Sequence, residues 1–283
     1  SSERTTQVIF KPMLAESTKV DLLPEYALDG RWWFEQKCDG NRLVTVVEDG
    51  VVTFLNRQGV QKTTLPIEPQ LTAEFQAMTR GQWVFDGEIV DDVYWLFDLP
   101  VVGDKVKIAD PYEFRRDVLD TFFEGWAPAA CIQLLPSWRT SADKTLGAEL
   151  MESTNREGVM VKDKDAPYLP GKRSRRVLKA KFTKAIDCVV RRVGVDGKEN
   201  VELAVIEGTA GTYQRPIGAA STIGKPAVVV GDVVEVKFLY AVDPRNPRLV
   251  QPTILRRRDD KSPSECTFDQ LDTCFTDKTV YQV

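Results

Sequence analysis

The sequence predicts an α+β protein whose C-terminal part is a small all-β domain. Three observations carry this. Over residues 1–184, helical and strand-like segments mix without the steady strand–helix–strand rhythm of a parallel sheet. From Ala185 onward the texture changes to about five short β-branched runs, parted by Gly, Pro and Asn turns, as in a small barrel of the OB type. The length, 283 residues, is enough for one large or two medium domains, each with a real core. The expected division is 1–184 and 185–283.

The elements follow in order. "LVTVVEDGVVTFLNRQG", from Leu43, reads as a β-hairpin, because Asp49-Gly50 sits between two β-branched runs. Lys37 in "FEQKCDGNRL" therefore ends the preceding strand, beside a turn at Asp39-Gly40. "EPQLTAEFQAM" places Leu71, Phe75 and Met78 on one helical face. "GQWVFDGEIV" and "DVYWLFDL" are short aromatic and β-branched strands. "PYEFRRDVLDTFFEGW" is a helix with Phe114, Val118 and Phe122 at helical spacing, and "DKTLGAELMEST" is another. "EGVMVKD" and "RRVLKAKF" return to strand. Farther on, Val234, Val236 and Phe238 alternate with Glu235 and Lys237, as a half-buried strand requires. The segment after Lys261 carries no readable pattern.

Composition narrows the chemistry. Histidine is absent, which excludes Ser-His-Asp and Cys-His catalysis and every histidine-ligated metal. Cys38, Cys131, Cys188, Cys266 and Cys274 are scattered and odd in number, so neither a disulfide framework nor a zinc site is expected. A reducing, cytoplasmic setting fits. No apolar run is long enough for a membrane span, and "SSERTTQVIF" lacks the basic start and apolar stretch of a secretion leader. Net charge is −4, yet "GKRSRRVLKAKFTK" and "RNPRLVQPTILRRRDDK" are dense in Lys and Arg. Such local patches bind phosphates even on an acidic protein.

Six stretches stand out, and each has a bland alternative. Lys37 would ordinarily be a solvated strand-end lysine, but K-x-D-G-x-R sets it beside a tight turn with Arg42 on the next strand. As a nucleophile it must react as the free amine, which nearby cations or desolvation favour. Asp86-Gly87-Glu88 is more often a turn. Phe97, beside Asp98, would usually be core. Glu157, ahead of Gly158 and Lys162, would usually be an exposed carboxylate. Lys179 and Lys181 share one strand face, which more often marks a wet edge. Arg258, Asp260 and Lys261 close the series.

Together these stretches resemble the ATP-dependent DNA ligases of the covalent nucleotidyltransferase superfamily. The likeness is greatest to compact bacterial and phage enzymes and to the ligase domains of bacterial end-joining proteins. "EQKCDGNR" resembles motif I, "NRQG" motif Ia, "FDGE" motif III, "LFDL" motif IIIa, "EGVMVK" motif IV, "LKAK" motif V, and "RRRDDK" the R-x-D-K of motif VI. "KPMLA" and "YLPGKRS" resemble segments of the bacterial group. The resemblance spans Lys11 to Lys261. It implies an α+β nucleotidyltransferase (adenylation) domain with antiparallel sheets and helices, followed by an OB-fold domain.

The resemblance also implies roles. Lys37 attacks the α-phosphate of ATP and pyrophosphate leaves. AMP then passes to the 5′-phosphate of a nick, and the 3′-hydroxyl displaces it. Charge neutralisation and in-line geometry, rather than acid–base work, carry such chemistry. Lys179 and Lys181 would hold the α-phosphate and favour the neutral amine of Lys37. Glu157 would bind or orient Mg2+ or Mn2+. Glu88 and Arg42 would take the ribose hydroxyls, and Phe97 would stack on adenine. Glu35 or nearby backbone would read the adenine edge. Lys162 would contact the nucleotide phosphate, and Arg57 the nick 5′-phosphate or AMP. Arg258, Asp260 and Lys261, on a mobile OB domain, would orient the leaving pyrophosphate. The implied partner is nicked double-stranded DNA, engaged by a monomer.

Two departures from the family pattern are visible. Val177 stands where the end-joining group commonly has tryptophan, which puts packing there in question. "EIVDDVYWLFD" joins motifs III and IIIa with almost no insert, as in a trimmed viral-type enzyme. The sequence shows no zinc finger or helix-hairpin-helix segment of the NAD-dependent ligases, favouring ATP. Three alternatives stay open: an mRNA-capping guanylyltransferase, an RNA ligase, and a non-catalytic OB-fold nucleic-acid binder.

Overall fold

The computed structural model describes residues 10–208 and 213–282; the N-terminal stretch read for a leader falls on residues 1–9, outside the described residues. The described chain divides into two compact units. The first holds residues 10–150, 158–180 and 280–282, and the second 151–157 and 181–279.

Along the first unit run β1 (Leu14–Ser17), α1 (Leu23–Leu28), β2 (Trp32–Lys37), β3 (Asn41–Glu48), β4 (Val51–Leu55), α2 (Glu68–Phe75), β5 (Gln82–Val90), β6 (Val93–Val102), β7 (Lys105–Val106), α3 (Tyr112–Trp126), β8 (Ile132–Leu134), β9 (Ser137–Trp138), α4 (Ser141–Ser153), β10 (Gly158–Asp163) and β11 (Arg173–Lys181). Two sheets result among the described residues. One has the order β1-β11-β10-β2-β9, and the other β4-β3-β5-β6-β7 with β8 beside β6. Local chemistry makes the hairpins. Asp49 and Gly50 both take positive φ (48° and 84°) between β3 and β4, as a primed two-residue turn requires. Asp91 and Asp92 (47° and 62°) do the same between β5 and β6, so no insert is needed there.

One face of the second sheet packs on α2 and α3. Leu43, Phe85, Tyr94 and Leu96 meet Leu71, Phe75 and Leu119 in a closed apolar core. Helix α3 is where the sequence reading fails in part. Phe114 is 47% exposed. The buried face is instead Tyr112, Arg115, Arg116 and Leu119. Periodicity assigns arginines to solvent, whereas here Asp98 and Glu35 receive the two guanidinium groups in the interior. Asp86-Gly87-Glu88 is not a turn but the middle of β5. Lys179 lies on β11, which is paired on both sides and is no edge. Val177 is buried against Met13 and Tyr168, so a small side chain fills that place.

The second unit is β-rich: β12 (Lys184–Val193), β13 (Asn200–Glu207), β14 (Tyr213–Ser221), β15 (Val233–Phe238), β16 (Ala241–Val242), β17 (Arg248–Leu249) and β18 (Thr253–Arg257). Its main sheet has the order β14-β13-β12-β15-β18 and is antiparallel throughout. Val234, Val236 and Phe238 of β15 turn inward onto Cys188, Val201, Leu203 and Ile254, as their alternation predicts. Strand β14 escapes sequence reading because "YQRPIGAAS" lacks alternation and holds a proline. It lies at the end of the sheet order, where a missing N–H costs little. The segment beyond Lys261 forms short turns that bury Cys266, Leu271 and Cys274. Among the described residues no helix is long and apolar enough to cross a membrane. None of the five cysteines is in a disulfide.

Candidate active site

Lys37 is the last residue of β2 and pairs across the sheet with Gly158, the first residue of β10. It is half-buried, between buried Gln36 and Cys38. The turn that follows needs Gly40, since a Cβ there would run into the carbonyl oxygen of Ile89. Strand alternation puts Lys37, Glu35 and Trp33 on one face, opposite Gly158, Met160 and Lys162.

On that face Glu35 is the hub of a buried network. It is 1% exposed. Tyr112 donates its O–H to Glu35 Oε1, Arg116 Nη1 lies 3.3 Å from the same oxygen, and Lys162 Nζ lies 2.6 Å from Oε2. Burial, then the neighbouring carboxylate, push the Tyr112 hydroxyl well above its usual range, so it stays a donor. The Glu35 carboxylate is thereby committed to the protein. Lys162 Nζ also sits 4.3 Å from the ring centroid of Phe97 and 4.9 Å from that of Tyr112. Alternation carries Lys162 four residues along β10 from Gly158, about 13 Å from the partner of Lys37.

The second sheet supplies the facing groups. Asp86 pairs with Asp98 while Gly87 pairs with Leu96, so Phe97 is the extra residue of a β-bulge. A bulge re-aims a side chain, which explains how a residue of a core-like run becomes half-exposed. Gly87 is required beside it, because a Cβ would meet the Trp95 carbonyl oxygen. Arg42 and Glu88 are cross-strand partners on the same face. Arg42 grips Asp86 with both arms, Nε to Oδ1 at 2.7 Å and Nη2 to Oδ2 at 2.6 Å, and donates to the Met13 carbonyl at 3.0 Å. Tyr168 donates to Asp86 Oδ2 at 2.6 Å. Burial works against the charge on Arg42, but Asp86 outweighs it and raises the guanidinium above its ordinary range. The Arg42 guanidinium lies 5.0 Å from the Phe97 ring centroid. The first unit thus gathers Lys37, Glu35, Arg42, Glu88, Phe97 and Lys162 on facing sheet surfaces.

Lys179 is half-buried on β11, in register with Ser17 of β1. Arg57 is exposed on a tight turn after β4, shaped by Asn56 Oδ1 accepting the N–H groups of Gln58 and Val60.

In the second unit, Glu157 is buried and pairs with Lys181 at 3.5 Å. The Arg258, Asp260 and Lys261 group forms a network of its own. Arg258 clamps Asp260 at 2.9 and 2.8 Å. Arg258 Nη1 and Lys261 Nζ converge on Asp187, at 3.2 and 2.5 Å. The Arg258 hydrogen bonds hold the Asp260 carboxyl well below the usual carboxylate range. Among the described residues no group of three acidic or cysteine side chains could cage a metal.

Sequence reasoning missed the residues that hold the site residues: Tyr112, Arg115, Arg116, Tyr168 and Asp187. Their partners are distant in sequence, so no local pattern reveals them. The nearest signal was the paired arginines inside the α3 pattern.

Comparisons with known proteins point to DNA ligases. A family model described as the ATP dependent DNA ligase domain matches residues 90–181. DNA ligase C1 of Mycolicibacterium smegmatis is 26% identical, over 93% of this chain and 94% of its own length. The solved ligase domain of M. tuberculosis LigD shares the fold at 22% identity, with a TM-score of 0.53, over 91% of this chain and 98% of that one. A solved structure called Pmar-Lig_PreS3 shares it at 20% identity and a TM-score of 0.66, over 89% of this chain and 68% of that one. Matched to that domain over residues 90–181 and similar to a DNA ligase along nearly its whole length, the chain resembles the ATP-dependent DNA ligases.

Proposed function

We propose that Lys37 is the residue adenylated by ATP, and that the chain seals 5′-phosphate/3′-hydroxyl nicks in duplex DNA. In the first step the Lys37 amine attacks the α-phosphate, the bond to pyrophosphate breaks, and a lysyl-AMP phosphoramidate forms. In the second, an oxygen of the nick 5′-phosphate displaces Lys37 and leaves a DNA-adenylate. In the third, the 3′-hydroxyl attacks that phosphate and AMP departs. The observation that carries this reading is the setting of Lys37: a half-buried strand-end amine on a face shared with Glu35 and Lys162, opposed by Arg42, Glu88 and Phe97. Phe97, aimed by its bulge and flanked by two cations, suits a purine ring.

Lys179 and Lys181 neutralise the α-phosphate. Glu88 takes the ribose hydroxyls, with Arg42 locked beside it by Asp86. Lys162 belongs to the base end of the nucleotide rather than to its phosphates, because it is spent on Glu35 and Phe97. Arg57 meets the nick 5′-phosphate or AMP. Arg258, Asp260 and Lys261 orient the departing pyrophosphate.

A single buried carboxylate suits magnesium or manganese that arrives with ATP, since Mg2+ is usually held by one or two carboxylates plus substrate phosphates and waters. Glu157 would hold it, and the ion would supply neutralisation of phosphate charge. The second unit is read as an OB-fold. In support, its five antiparallel strands share one core, and β14 and β18, at opposite ends of the sheet order, lie against one another. The enzyme is proposed to work as a monomer in a bacterial cytoplasm.

The test is transfer of label from ATP or GTP carrying a radioactive α-phosphate. ATP alone should label the denatured chain, and Lys37→Ala should lose the label while keeping its melting temperature. Label retained by the variant would assign the nucleophile elsewhere. Label from GTP would turn the reading to capping. Comparing nicks in DNA and RNA then separates the two ligase readings.

A further inference from the structure

The segment after Lys261 has no role in the chemistry above, yet its end reaches the neighbours of the site residues. Within the first unit, Val280 packs on Cys38, Val90, Trp95 and Leu135, the cluster on which Phe97 also rests. The Tyr281 N–H donates to Gln36 Oε1 at 3.1 Å. Gln36 and Cys38 are the residues on either side of Lys37, and both are buried. Within the second unit, the same segment is gripped just ahead of Glu157. Asn155 Nδ2 donates to the carbonyls of Thr273 and Phe275 at 2.7 and 3.0 Å. Arg156, 3% exposed, spends its guanidinium on Thr276 Oγ1 at 2.7 Å, the Thr279 carbonyl at 2.9 Å and Asp277 at 2.6 Å.

A guanidinium buried this deeply must find partners, and beyond the Thr154 carbonyl it finds them in the tail. The tail is therefore held in the first unit beside the neighbours of Lys37, and in the second beside the residues that precede Glu157. We infer that residues 273–281 are a positioning element for lysine adenylation, bracing the backbone on both sides of Lys37 and immediately before Glu157. The inference rests on the assignment of Lys37 made above. Its physical basis is that attack at phosphorus demands in-line approach, so a small displacement of the amine is costly.

The experiment is the rate of lysyl-AMP formation at saturating ATP, measured on the full chain. Val280→Ala trims the tail's contact with the apolar cluster. Tyr281→Pro removes the N–H that Gln36 receives. Gln36→Ala removes the acceptor without touching the tail. Each should slow labelling on the order of tenfold, leave sealing of a pre-adenylated nick unchanged, and leave the melting temperature unchanged. Tyr281→Pro with Gln36→Ala should be no slower than either alone. Wild-type labelling rates in the tail variants would overturn the inference. So would faster labelling, which would make the tail an obstruction, or a parallel fall in melting temperature, labelling and sealing. Failure of the unaltered chain to label Lys37 would instead remove the assignment beneath it.

Discussion

Two ion-pair networks, one in each unit, hold cations proposed above to act on the nucleotide, and they are built differently. In the first, Asp86 is fully buried, spends both oxygens on Arg42, whose side chain is 20% exposed, and takes a further hydrogen bond from Tyr168. In the second, Asp187 is nearly buried, but Lys261 is 31% exposed and Asp260 66%. A sealed pair fixes geometry and cannot exchange partners without stranding a charge. A half-open one can release its cations to a phosphate at small cost. The contrast is what the proposed roles require: a fixed group for the ribose in one unit, and in the other a group that engages pyrophosphate and then leaves it.

Breaking the sealed pair should have the largest effect. Asp86→Ala strands the Arg42 guanidinium and is expected to cost about 3–5 kcal/mol of stability, read from urea unfolding. A cost near zero would mean that the partly exposed Arg42 finds water or another partner once Asp86 is gone. Opening the other network should cost activity instead. Asp260→Ala or Lys261→Ala should slow lysyl-AMP formation on the order of a hundredfold while still sealing a pre-adenylated nick. Equal loss on both substrates would sink the pyrophosphate role. Asp187→Asn, which removes only the anchor, should lower stability by about 1 kcal/mol in the same urea assay. A loss as large as that of Asp86→Ala would erase the distinction between the networks.

The smallest expected effect is at acid pH. Hydrogen bonding from Arg192, against some burial and with help from Arg191, brings Glu202 down to about 2 from an ordinary 4.5. A carboxyl lowered by folding adds stability that is complete above its unfolded pKa and disappears as pH falls through the folded one. Thermal unfolding between pH 4.5 and about 2 should thus show less acid sensitivity in Glu202→Gln than in the unaltered chain. Identical pH profiles would show that this exposed cluster contributes nothing.

Much of the candidate site was legible because its signals are local. The turn at Asp39-Gly40 set Lys37 at a strand end, and the alternation of Lys179 and Lys181 followed from their spacing. Other features were not. The spacing of Phe114 suggested an apolar contact, yet α3 buries two arginines, which only Asp98 and Glu35 make tolerable. Strand β14 lacked a pattern because a sheet edge accepts proline and does not demand alternation.

The sequence by itself determined the hairpins, the mixed first domain, the β-rich second part and the identity of the nucleophile candidate. Each of these rests on neighbours within a few residues, where turn geometry and strand periodicity act. Only the tertiary structure decided which carboxylate neutralises which cation, where the bulge turns Phe97, and where the tail comes to rest. Arg42 meets Asp86 across 44 residues, and Tyr168 meets it across 82. Such pairings depend on sheet register and on the need of every buried charge for a partner, conditions that the whole fold satisfies together.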